Sequence, residues 1–169
     1  MAAAPNLIRL LDASVLRETL NAHRQYIHGR PGGRRANLAY CDLSDRSLEG
    51  ADLSDAELTG ARLSGALMAG VKLDRAVLFG CDLRNADLRD AIAFGGVFSN
   101  ANFSGADLTN SSWVGTYLEG ANFAGANLSG ANFSGAQMGL THGLTQRQLD
   151  QACGDSTTEL PGSLRIPNC

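Results

Sequence analysis

From residue 36 to residue 140 the chain reads in fives without an insertion. The centre of each unit is bulky and apolar, from Leu38, Leu43 and Leu48 through Phe103, Trp113 and Phe133 to Met138. Ala93 is the single small centre among 21. Two positions earlier stands a small residue in most units, as at Ala36, Cys41, Ala56, Cys81 and Ala136. Two positions later stands a turn-former: 12 Gly, 3 Asn and 3 Asp, with Tyr40, Arg75 and Leu140 as exceptions.

A step of five turns an α-helix by about 140° net, so the apolar residues would spiral around its axis instead of forming a stripe. A dozen interior glycines, at about 1 kcal/mol each, oppose the helix as well. A straight strand fails because five is odd and every second Leu would change face. What remains is a short extended piece and a bend, once per unit. Alternation then puts the small and the large residue on one side. Their neighbours, such as Asp42, Ser44, Asp52 and Ser54, point outward. Gly, Asn or Asp at the bend tolerates the positive φ of a tight corner. The pattern predicts an all-β solenoid with Leu, Phe and Ala inside and polar groups outside.

The runs ANFAGANLSGANFSGA and GADLSDAEL resemble the pentapeptide repeat family, with its Ala-Asp/Asn-Leu-x-x unit. The resemblance covers residues 36–140 and implies a right-handed quadrilateral β-helix, four pentapeptides to a coil. Twenty-one units then make about five coils, a rod about 25 Å long. Four sides predict coupling at a spacing of twenty. Ala93 would sit beneath Trp113, Phe103 beneath Phe123, and Trp113 beneath Phe133, as stacked aromatics.

The expected organisation is an N-terminal helical cap with a basic linker (1–35), the repeat body (36–140), and a C-terminal cap helix with a tail (141–169). Leu16, Leu20, His23 and Ile27 mark a helix over 12–29, started by Asp12 or Ser14 and stopped by Gly29 and Pro31. Leu7, Leu10 and Leu11 read as an earlier short helix. Thr145 and Gln148 make a capping box for a helix of about 145–153. Beyond it, Gly154–Cys169 reads as irregular. Both ends are expected to shield exposed strand edges of the rod.

Chemistry is sparse. His23, His28 and His142 all lie outside the repeats, and no nucleophile–base grouping, phosphate loop or metal-ligand spacing appears. The reading is therefore not an enzyme, with no cofactor and no metal. Cys41 and Cys81 occupy inward slots about two coils, or 10 Å, apart, too far to bridge. Cys153 and Cys169 both fall in the C-terminal extension, where a bond between them would pin the tail. An intracellular setting would keep the pair reduced. The start MAAAPNLIRLLDASVL has no basic lead, and Arg9 and Asp12 interrupt its apolar residues, so no secretory leader is expected. No apolar run reaches the length of a membrane span. The expectation is a cytoplasmic protein.

The net charge of −3 is unevenly spread. Residues 1–35 carry six Arg against Asp12 and Glu18; the repeats carry 12 acids against 6 bases; the tail adds −1. Arg24, Arg30, Arg34 and Arg35 form a basic cluster, read as a solvated linker or a clamp for an anionic partner.

Several outward slots are apolar where small or polar residues belong: Val77, Phe79, Ile92, Phe94, Val97, Val114 and Tyr117. On a four-sided coil they would gather around the corner Gly95–Gly96 as one patch, the mark of an interface unless a terminus covers it. The leading functional reading is a non-catalytic, rigid interaction module that binds another protein or its own copy as a homodimer, with no direct contact to nucleic acid or membrane. The alternative, which the family resemblance raises, is a DNA mimic that protects a type II topoisomerase such as gyrase. Magnitude opposes it: a 25 Å length of duplex carries about 15 negative charges. The repeats carry a net −6.

Overall fold

The computed structural model describes residues 8–169. Its corners recur every five residues. From Tyr40 to Gly135 all twenty turn positions adopt left-handed backbone with φ between 55° and 72°. Tyr40 (57°) and Arg75 (55°) do so despite their side chains. Leu140 does not, and the register of fives ends there.

Between corners each short strand pairs in parallel with the residue twenty positions on. This holds without exception from Asn37↔Glu57 to Asn122↔His142. One coil is therefore four pentapeptides, and the body is a four-sided solenoid. We number the sides by their centres: side 1 holds Leu38 and Leu58, side 2 Leu43 and Leu63, side 3 Leu48 and Met68, side 4 Leu53 and Leu73. The hydrogen bonds repeat with the coil. The Leu78 amide donates to Val97 O at 2.7 Å and the Val97 amide to Ala76 O at 2.9 Å.

All 21 centres are buried, most of them completely. Phe103 and Phe123 stack as expected, with centroids 4.9 Å apart and planes 2° from parallel. Trp113 lies one coil below Phe133, its amide donating to Asn132 O, but the indole does not stack in that column. It packs edge-on against Phe98 and Phe103, at 5.0 and 5.3 Å. A hydrogen bond directs it there: Trp113 Nε1 donates to Ser111 Oγ at 2.6 Å. Ser111 fills a small inward slot and its hydroxyl donates in turn to Leu108 O. Gly96 is small for steric reasons, since a Cβ there would come within 2.7 Å of the Phe98 ring.

Outward acids and amides have a structural task. The Oδ1 atoms of Asp42, Asp52, Asp82, Asp107, Asn122 and Asn132 each accept from the amide two residues on, at 2.9–3.2 Å. This Asx geometry satisfies an amide the sheet leaves unpaired and aims the chain at the next corner.

The ends differ in part from expectation. Helix α1 spans Ala13–Ile27, with Asp12 as N-cap accepting from the Ser14 amide at 2.7 Å. Leu16 and His23 are its buried residues. The early helix is not formed over its described part. Arg9–Leu10 is instead a strand, β1, paired in parallel with Cys41–Asp42, β2; Leu7 lies outside the described residues. The lower edge of side 2 offers unpaired backbone groups, and an extended segment satisfies them where a helix cannot. Leu10 is consequently 88% exposed while Leu11 is buried.

Helix α2, Gln146–Leu149, is shorter than the spacing implied, and its capping box forms as read. Gln148 Nε2 donates to Phe123 O and Ala126 O, closing carbonyls at the upper end of the rod. Nor is the tail irregular. Cys153 pairs with Asn132, Glu159 with Gln137 and Asn168 with Gly154, so it continues sides 4 and 1 and then side 4 again. Leu160, Leu164 and Ile166 pack against the core.

Candidate interaction surface

A ladder fixes the seven apolar outward residues relative to one another. Val77, Val97 and Tyr117 pair successively in one column of side 1, below Gln137 and above Glu57. Phe79 lies two residues beyond Val77 on the same side. On side 4, Ile92 pairs with Ser112, and the Gly95 amide donates to Val114 O, which sets Phe94 and Val114 in adjacent coils. The corner between these sides is floored by Gly95 and Gly115. A Cβ built on Gly115 would meet the Phe94 ring at 4.0 Å, so that ring reaches up along the corner.

Phe79, Ile92, Phe94 and Tyr117 keep 46, 43, 54 and 43% of their surface exposed, and Val77, Val97 and Val114 are half-buried. Helix α1 lies below the first coil, where the Ala36 amide donates to His23 Nδ1. The tail lies above the last coil. Neither covers the patch. The backbone beneath it is fixed by interstrand hydrogen bonds of 2.7–3.0 Å.

Charge frames this edge. At the foot of the corner Arg75 makes two 2.8 Å hydrogen bonds to Asp55, and Arg35 donates to Asp55 O. Hydrogen bonding from Arg75 holds the Asp55 carboxyl below its usual range. Above it stand Glu119, which accepts from Ser99 Oγ, and then Asp155 and Glu159. Elsewhere Asp82 and Asp87 are lowered in the same way by Arg84 and Arg89.

The remaining candidates do not converge on a reactive centre. His23 is fully buried in the cap, His28 at the C-cap of α1 bonds Arg24 O through Nδ1, and His142 sits on side 2. Among the described residues no group of three His, Cys, Asp or Glu is placed to hold a metal ion. No helix among them is long and apolar enough to cross a membrane. Cys41 and Cys81 are buried free thiols, and burial pushes Cys81 up to about 12, which suppresses thiolate chemistry. Cys153 and Cys169 are joined by a disulfide that ties successive layers of side 4. Leu67, 44% exposed on side 3, and Leu140, 69% exposed at the upper end, are apolar outward residues that spacing alone did not single out.

Geometry of this kind defines a class, a four-sided repeat solenoid with flat sides. The sequence model of the pentapeptide repeats matches residues 34–70, 56–92, 72–110 and 101–138, in eight copies. The chain belongs to the pentapeptide repeat family. Similar solved structures include HetL, a pentapeptide repeat protein involved in heterocyst differentiation regulation in the cyanobacterium Nostoc sp. strain PCC 7120; it is 23% identical over 78% of this chain and 75% of that one, TM-score 0.40. A pentapeptide repeat protein of the Arabidopsis thaliana thylakoid lumen is 31% identical over 69% of this chain and 78% of that one, TM-score 0.33. A trypsin-treated variant of QnrB1, a plasmid-mediated fluoroquinolone resistance protein, is 21% identical over 73% and 77%, TM-score 0.39. No curated protein matches the chain in sequence.

Proposed function

We propose that the chain is a non-catalytic protein–protein interaction module, a rigid rod whose contact surface is the apolar edge between sides 4 and 1. In this reading residues 36–140 are the contact body, and the described part of residues 1–35 and residues 141–169 close its ends. The coil winds right-handed, the hand that parallel crossover connections favour. The observation that carries the reading is the set of apolar outward residues flanking one corner of a fixed scaffold, Phe94 and Val114 on side 4 and Val77, Val97 and Tyr117 on side 1, with the exposed Ile92 and Phe79 at the far ends of the same two sides. Rigid scaffolds bind without the entropic cost of ordering loops.

The DNA-mimic reading has less support. Asp55, Asp82 and Asp87 are neutralised by Arg75, Arg84 and Arg89, and many other outward acids and amides are turned onto their own backbone. A duplex-like row of free charges needs the opposite arrangement. The Cys153–Cys169 bond is one that an oxidising compartment sustains; in a reducing cytoplasm the pair would be open thiols.

The test is Phe94→Asp combined with Val97→Asp. Both slots take Asp elsewhere in the ladder, at Asp74 and Asp87, so folding is preserved. The variant is expected to melt like the wild type and to lose its bound protein. Unchanged elution volume together with unchanged partner capture would overturn the proposal.

A further inference from the structure

We infer that the occupant of the side 1 column is a second copy of this chain, laid antiparallel so that Val97 meets Val97 on a two-fold axis. This rests on the reading above that the apolar edge is the contact surface.

The register is self-matching. Glu57, Val77, Val97, Tyr117 and Gln137 are spaced one coil apart in a single column. A two-fold axis lying in the interface, across the rod at Val97, carries Val77 onto Tyr117 of the second copy. It also carries Glu57 onto the neutral Gln137 of the second copy. Within this column apolar therefore faces apolar and no acid faces another; in the second outward column of side 1 the same axis sets Phe79 against Glu119 of the second copy, whose carboxylate accepts from Ser99 Oγ.

Charge selects the antiparallel sense. The lower end of this face carries Arg35, whose side chain is 47% exposed and lies 4.0 Å from Glu57 of its own chain. The upper end carries Asp155 and Glu159, one row above Gly135 and Gln137. Antiparallel pairing brings Arg35 of each copy to the acidic end of the other. Parallel pairing would set Asp155 and Glu159 against themselves, and like-charge juxtaposition disfavours it.

A standard interface takes about 800 Å² from each partner, roughly a tenth of this chain's surface of 8437 Å². The interstrand bonds already hold the backbone of that face in place.

Sedimentation equilibrium of the full chain, from about 1 to 300 μM, tests the inference. The wild type is expected to dimerise, and Val97→Asp, which sets two carboxylates across the axis, to weaken the dimer at least ~100-fold while melting like the wild type at concentrations where both are monomeric. Arg35→Glu should weaken it less, and Arg35→Glu with Glu159→Arg should restore it. A wild type that stays monomeric throughout overturns self-pairing while leaving the interaction-module reading to the capture comparison described above. A dimer indifferent to Val97→Asp overturns the interface, and failure of the charge swap to rescue overturns the antiparallel register.

Discussion

Replacing Gly70 by Ala isolates the backbone requirement at the corners. Gly70 has φ +66°, and a Cβ built on it meets no atom within 4 Å, so the added methyl clashes with nothing. The cost is then conformational alone, about 1–2 kcal/mol for an L-residue held left-handed. Restricting the unfolded chain returns about 0.4–1 kcal/mol, leaving a net loss near 1 kcal/mol. Gly139 is the matched control: open space again, but no positive φ. There Ala keeps the unfolded-state benefit and gains about 0.4–1 kcal/mol. For a chain of this size 1 kcal/mol is worth about 2–4 °C. Thermal melts followed by circular dichroism should therefore move in opposite directions, down for Gly70→Ala and up for Gly139→Ala. If Gly70→Ala were neutral or stabilising, the corners would not be left-handed and the reasoning would fail.

Two further outcomes follow from the interior. His23 is buried with Nδ1 accepting from the Ala36 amide and Nε2 unpartnered, faced by Tyr26, Arg35, Asp52 and Asp55. Burial lowers its pKa below 6.5, so the unfolded chain takes up the proton first; its contribution is intact above pH 6.5 and declines as pH falls below that value. Urea midpoints that do not change between pH 8 and pH 5 would contradict this. Ser111→Ala leaves Trp113 Nε1 buried without an acceptor, at a cost of about 1–3 kcal/mol. The single tryptophan reports the loss by fluorescence-monitored denaturation, and a wild-type midpoint would refute it.

The repeat was legible in the sequence because its code is redundant. Nearly every unit carries a bulky centre, a small partner and a turn residue, so one weak slot does not obscure the rest. Ala93, beneath Trp113 in the same column, is an example. The apolar slots around Gly95–Gly96 were legible for a related reason: once the period is known, a Phe94 or Val97 in an outward position stands out.

Features decided by three-dimensional demand were not legible. Tyr40 and Arg75 take positive φ because neighbouring coils impose the corner, whatever the residue. Leu7, Leu10 and Leu11 have helical spacing, yet the described Arg9–Leu10 pairs with Cys41–Asp42 because an open edge needs a strand. The tail looked irregular because its pairing offsets are not twenty: Asn132↔Cys153 and Gln137↔Glu159 skip over α2 and its connections. The turn of Trp113 away from Phe133 hangs on one serine hydroxyl. Whether anything lay over the patch depended on the paths of α1 and the tail, which local patterns do not encode.

The most direct measurement of the coil itself is a pair of engineered cysteines. Asn102→Cys with Asn122→Cys places two thiols on paired residues of adjacent coils, within the Cα separation a disulfide needs. Asp107→Cys with Asn122→Cys, fifteen apart, places them on different sides. After mild oxidation, peptide mass spectrometry should find an intramolecular bond in the first variant and free thiols in the second. A bond at fifteen, or none at twenty, would contradict the four-pentapeptide coil.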